Sequence, residues 1–219
     1  MPRTKLVNGI RIAFTAEEEA QRDAEEAQAL VDKQRGLAAD ATNMVLLNSS
    51  DFTSSGVNTI TFDNTLITDT YDVYRLILTR INGSDDYNLA FQVSDDNGSS
   101  YHTGTSYKRA VFAGHHGKTD DTISTRYNAF SRGYIIGNTF TVGGVDKETS
   151  SGTFDFHNLR RSDLGKICTG IAGFETNGER GCLEVVNIYL DLDLVVNNLK
   201  IITDTGTVTG KAALYGVKV

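Results

Sequence analysis

Val73-Tyr74-Arg75-Leu76-Ile77-Leu78-Thr79 alternates: Tyr74, Leu76 and Leu78 share one side of an extended chain, while Arg75 and Thr79 take the other. Successive side chains of a strand point to opposite faces, so this spacing predicts a strand with one apolar face. The run Leu190-Asp191-Leu192-Asp193-Leu194 repeats the pattern, with leucines on one side and aspartates on the other. Working outward, strands are expected at Met44–Leu47, Thr59–Phe62, Val73–Ile81, Leu89–Val93, Lys108–Ala113, Tyr134–Val142, Thr153–His157, Lys166–Phe174, Leu183–Leu194, Leu199–Thr203 and Ala212–Val219. Turn formers separate them: Asn82-Gly83, Asp95-Asp96-Asn97-Gly98, Gly143-Gly144, Thr176-Asn177-Gly178 and Asp204-Thr205-Gly206. Short strands at this rhythm, with no strand–helix alternation and no fixed-period repeat, read as a mainly β chain folded into an antiparallel β-sandwich or barrel.

Composition agrees. Asn, Ser and Thr make up 54 of the 219 residues, and there is a single proline. Threonine suits half-exposed strands, while asparagine and serine favour turns. The hydrophobic fraction of 39% is enough for a core. A net charge of −7 and no basic stripe argue against nucleic acid as a partner. No apolar run reaches the length that spans a bilayer, and the first residues lack a signal-peptide core, so synthesis in a cytoplasm without secretion is expected.

The division falls near residue 43, giving an N-terminal arm with one α-helix over 1–42 and a β domain over 43–219. Residues 1–14 read as extended without a clear period. Thr15-Ala16-Glu17-Glu18 is a capping box, in which Thr15 and Glu18 bond each other's amides. Glu17, Glu18 and Glu19 suit the positive end of the helix dipole. Gly36 is the expected stop, with fraying toward Ala41. Along this helix Ala20, Ala24, Ala27, Val31, Gln34 and Ala38 follow a 4-3-4-3-4 spacing, a heptad seam made mostly of alanine. Such a seam buries little area but permits close backbone approach. A helix otherwise polar all round needs something to dock on, either its own domain or an assembly.

Candidate chemistry is thin. His115-His116 between glycines could hold a metal, yet adjacent residues of a strand face opposite ways and no third ligand accompanies them. Asp95-Asp96-Asn97-Gly98 fails the calcium-loop pattern, since Ser106 stands at position 12. Asp191 and Asp193 share a face about 6.5–7 Å apart, a glycosidase-like separation, but the chain has no tryptophan platform. If Phe174 pairs with Cys182, then Cys168 pairs with Ile188, out of disulfide reach of Cys182. The residues give no catalytic set, cofactor or metal site. The polar stretch Ser94–Arg132 carries Tyr101, Tyr107 and Tyr127, which could stack on sugars, with His115 and His116 beside them as further surface contacts.

Asn8-Gly9-Ile10-Arg11-Ile12-Ala13-Phe14-Thr15-Ala16-Glu17-Glu18-Glu19-Ala20, continuing through Arg22-Asp23-Ala24-Glu25-Glu26-Ala27, resembles a segment of tailed-bacteriophage tail and fibre proteins. Gly210-Lys211-Ala212-Ala213-Leu214-Tyr215-Gly216-Val217-Lys218, with Asn198-Leu199-Lys200-Ile201-Ile202 before it, is similar to the ending of a group of phage virion β-sandwich proteins. The hairpin stretch Phe91–Tyr101 fits the same group. The resemblance covers about a third of the chain and carries no catalytic residues. It implies a non-enzymatic virion surface protein, assembled in the host cytoplasm, trimeric, with an N-terminal anchor and a jelly-roll-like head. Two roles then compete. One is a fibre-type adhesin touching host-surface glycans; the other is a cement or decoration protein on the capsid shell. A polysaccharide-acting enzyme is a distant third. Partners on this reading are further copies of the chain, other virion proteins and a host glycan.

Overall fold

A computed structural model describes residues 4–7, 10–41, 43–116, 121–144, 148–176 and 180–218. It divides into two units, Met1–Asn43 and Met44–Val219.

In the first unit, β1 (Thr4–Val7) and β2 (Ile10–Ala13) pair antiparallel, Val7 opposite Ile10. The extended stretch expected here thus consists of two strands paired with each other, and Asn8-Gly9 between them in the sequence is a strong short-range signal for such a pair. Helix α1 (Ala16–Ala41) starts where the capping box places it. The Glu18 amide donates to Thr15 Oγ1 at 3.2 Å and the Thr15 amide donates to Glu18 Oε2 at 3.0 Å. Gly36 does not stop the helix, which continues to Ala41.

The second unit is mainly β, with two antiparallel sheets. Its strands are β3 (Met44–Asp51), β4 (Thr59–Phe62), β5 (Val73–Gly83), β6 (Leu89–Ser94), β7 (Tyr107–His116), β8 (Asp121–Phe130), β9 (Gly133–Ile136), β10 (Ser150–His157), β11 (Lys166–Thr176), β12 (Arg180–Leu190), β13 (Asn198–Thr203) and β14 (Val208–Val217). The larger sheet runs β3-β14-β5-β10-β11-β12-β7-β8 and the smaller β4-β13-β6-β9.

Eight of these strands pair from the outside inward: β3 with β14, β4 with β13, β5 with β10, and β6 with β9. One long hairpin, rolled so that successive pairs fall on alternate sheets, is the jelly-roll arrangement. Two antiparallel pairs are inserted into it, β7–β8 after β6 and β11–β12 after β10. Both extend the larger sheet beyond β10.

The core lies between the sheets. Tyr74, Leu76, Leu78, Phe154, Phe156 and Leu214 of one sheet meet Phe62, Leu89, Phe91, Val93, Leu199 and Ile201 of the other, all buried. Phe91 stands edge-on to Phe156 at 5.0 Å and to Tyr107 at 5.6 Å between ring centres, the favoured aromatic geometry. The alternation of β5 changes phase after Leu78, because Thr79 and Arg80 together oppose Ser151. This bulge, with Arg80 at φ 52°, turns Ile81 inward. Asn82-Gly83, expected as a turn, belongs to β5 instead. Gly83 is required by a close approach: a Cβ there would lie 2.4 Å from the Tyr87 ring.

Two early strand ends and one additional strand differ from expectation. β9 stops at Ile136 because Gly137 and Asn138 both take positive φ. β12 stops at Leu190, so Asp191 and Asp193 lie beyond it. β8 was not expected at all; it is a polar strand at the sheet edge, where apolar alternation is weakest. Phe174 pairs with Cys182 and Cys168 with Ile188, as the register argument requires.

Candidate functional site

Of the tyrosines and histidines expected to contact a ligand, Tyr107 and His115 are buried. Tyr107 is fully buried in β7; its hydroxyl accepts from the Val93 amide and donates to the His102 carbonyl, each at 3.0 Å. Burial pushes its phenol up to about 12. His115 points inward as well, stacked on Phe140 at 4.5 Å, and His116 is exposed. The physical reason is β7's alternation, which places Tyr107, Arg109, Val111, Ala113 and His115 on the core side. Tyr101 is half-buried: its hydroxyl donates to Asn198 Oδ1 at 2.7 Å, and Lys200 Nζ covers its ring at 3.6 Å. The side chain of Tyr127 lies outside the described residues.

The acidic candidates resolve into local contacts. Asp96 accepts from Ser94 Oγ, the Ser100 amide and Ser100 Oγ at 2.6–2.9 Å, which lowers its carboxyl to about 2. Asp95 pairs with His102 at 2.9 Å. Asp191 pairs with Lys108 and is exposed, as is Asp193. Among the described residues, no three His, Cys, Asp or Glu side chains converge to hold a metal.

The strongest electrostatic feature is one that the sequence reading missed. Arg109 of β7 and Glu184 of β12 form an ion pair at 3.1 Å, with side chains 2% and 0% exposed. Arg109 also donates to the Tyr134 and Gly137 carbonyls and to Thr139 Oγ1; Glu184 Oε2 accepts from the Gly137 amide at 3.0 Å. Burial drives the Glu184 carboxyl up to about 7, against the pull of Arg109 and the Gly137 amide. The pair rivets the inserted strands to the segment after β9. The available signal was phase: in Cys182-Leu183-Glu184-Val185-Val186, Glu184 shares its face with the cysteine and Val186.

Two surfaces remain. On α1, Ala20, Ala24 and Ala27 are exposed, while the side chain of Val31 lies outside the described residues. On the outer face of β7, β12 and β11, the exposed residues Phe112, Val185 and Ile171 stand in one cross-strand row, with Leu183 and Tyr189 at either end along β12. The next row is low (Ala110, Asn187 and Thr169), and a shallow hollow of about 440 Å³ opens there. No helix of the described residues is long and apolar enough to cross a membrane.

No protein-family model matches the chain, and no curated protein matches it.

Proposed function

We propose that the protein is a non-enzymatic structural component of a bacteriophage virion: a homotrimeric, fibre-type adhesin fastened to the particle by α1 and presenting its β-sandwich to the host surface. The observation that carries this reading is α1 itself. It is a 26-residue helix in its own unit, about 39 Å long, with Ala20, Ala24 and Ala27 at heptad spacing and exposed. Helical stability in proteins comes mainly from packing one face, so this helix calls for a partner. Neighbouring helices could approach closely along its alanines. The resemblance of Asn8–Ala27 and Gly210–Lys218 to phage tail and virion segments supports the choice of particle, and a sandwich with no acid pair in a cleft among the described residues suits display rather than reaction.

The test is incorporation. Ala24→Glu with Ala27→Glu should leave the β domain folded by circular dichroism and abolish joining to the particle. Incorporation at wild-type level would remove the anchoring role. Capsid decoration is the competing reading, favoured by an arm that forms a unit separate from the sandwich. Copy number decides: a few trimers at one site indicate a fibre, hundreds over the shell a cement protein. Release of sugar from host polysaccharide that disappears with Asp191→Asn would establish an enzyme instead.

A further inference from the structure

We infer that the outer face of the inserted strands β7, β11 and β12 is a contact between two copies of this chain, related by a two-fold axis and packed sheet against sheet. This inference is independent of the virion reading and concerns only the β domain.

The first argument is composition against position. The outward face of β7, β12 and β11 is led by Phe112, Leu183, Val185, Tyr189, Ile167 and Ile171, and its charged side chains stand toward the ends at Lys108 and Glu175. Phe112, Ile171 and Leu183 are each 49% exposed and Val185 45%. Solvent faces of antiparallel sheets are normally polar, and this chain carries −7 net charge, so an exposed apolar row flanked by an uncharged one, Ala110, Asn187 and Thr169, marks an interaction surface. The Lys108–Asp191 pair beside it is already neutral.

The second argument is self-complementarity. The ridge Phe112–Val185–Ile171 and the hollow Ala110–Asn187–Thr169 are adjacent rows on the same three strands. Consider an axis lying in the interface, running across the strands at the level of Val186. It places the ridge of each copy over the hollow of the other and Leu183 over Tyr189. Sheets packed in this way interdigitate about 10 Å apart. A glycan or an unrelated protein gives no reason for a ridge and a hollow related by such an axis; a second copy does.

The third argument is area. Strands β11, β12, β7 and β8 are 10 or 11 residues long. At ~4.8 Å per strand and ~3.4 Å per residue, the three strands of the contact present a flat face of roughly 500 Å², and β8 beside them brings it to roughly 650 Å². A stable interface buries about 800 Å² on each partner, so the flat face falls short of that figure and the relief of its side chains, together with the flanking strands, supplies the remainder.

The experiment measures the mass of the full-length chain in solution by light scattering over a dilution series. Val185→Glu should halve the mass, as should Phe112→Ser, with circular dichroism unchanged because both side chains are half exposed. Asn187→Lys added to Val185→Glu should restore the mass in a salt-sensitive manner, because the axis sets each new glutamate over the other copy's new lysine. Ala24→Glu with Ala27→Glu changes any contribution of α1 but leaves this factor of two in place, so failure here and failure of the anchoring reading are separable. A mass unchanged by both Val185→Glu and Phe112→Ser overturns the inference, including the case in which the face binds a glycan or a different protein.

Discussion

Replacing Arg109 by methionine isolates the largest buried electrostatic term in the sandwich. The substitution keeps much of the side-chain volume but leaves Glu184, 0% exposed, with the Gly137 amide and without its cation. Breaking a buried pair from one side costs about 3–5 kcal/mol, because the remaining charge is uncompensated. The cost has a direction in pH. Glu184 is already raised to about 7 in the folded protein, so it holds a proton that the unfolded chain releases near 4.5. Its contribution to stability is full below the unfolded value and is lost as pH rises through about 7. Removing Arg109 takes away the strongest force opposing that rise, so Glu184 titrates still higher in the variant. The penalty of Arg109→Met should therefore be small near about pH 5 and largest near about pH 8. The two should differ by up to ~1.4 kcal/mol, the one unit that separates about 7 from about pH 8, once the carboxyl of the variant titrates above about 8. Urea unfolding followed by tyrosine fluorescence measures this directly, since the chain has nine tyrosines and no tryptophan. Adding Glu184→Leu should recover a large part of the loss and flatten its pH dependence, because an apolar pair replaces an unpaired charge. Equal penalties at both pH values would refute the assignment of Glu184 as the titrating group.

Two further outcomes follow from local geometry. Gly144→Ala places a Cβ 1.9 Å from the Asp85 carbonyl oxygen, a backbone atom that cannot swing aside, so the melting temperature should fall by the equivalent of about 1–3 kcal/mol. Thr15→Ala removes the acceptor for the Glu18 amide and should cost the helix about 1 kcal/mol, read as lower helicity by circular dichroism with the β signal unchanged.

How much could be read without coordinates depended on how plainly each strand declared its phase. Val73–Leu78 alternates strictly, and its strand and buried face were legible. So were the helix start at Thr15 and the Cys168–Ile188 register, because short-range hydrogen bonding and pairing arithmetic fix them. β8 was hidden by its polarity. Tyr107 and His115 were placed on the wrong side because a hydroxyl and an imidazole look like surface groups until the register of β7 is known. In β12 the phase was legible but its exceptions were not: Cys182, Val186, Ile188 and Leu190 point in as apolar residues should, yet Glu184 points in with them, while Leu183 and Val185 point out. The buried ion pair and the exposed ridge are those exceptions.

The outside-in pairing of the jelly roll also governs when the protein can acquire its structure. β3 near residue 44 finds its hydrogen-bonding neighbour only in β14 near residue 217, and β4 only in β13. A ribosome therefore releases β3 and β4 before their mates have been synthesised, and closure waits until β13 and β14 have been made. Messages cut short before β13 should leave β3 and β4 without their mates, although β5, β10, β11, β12, β7 and β8 are already present to pair, and the host's chaperones and proteases would have to clear the unclosed product.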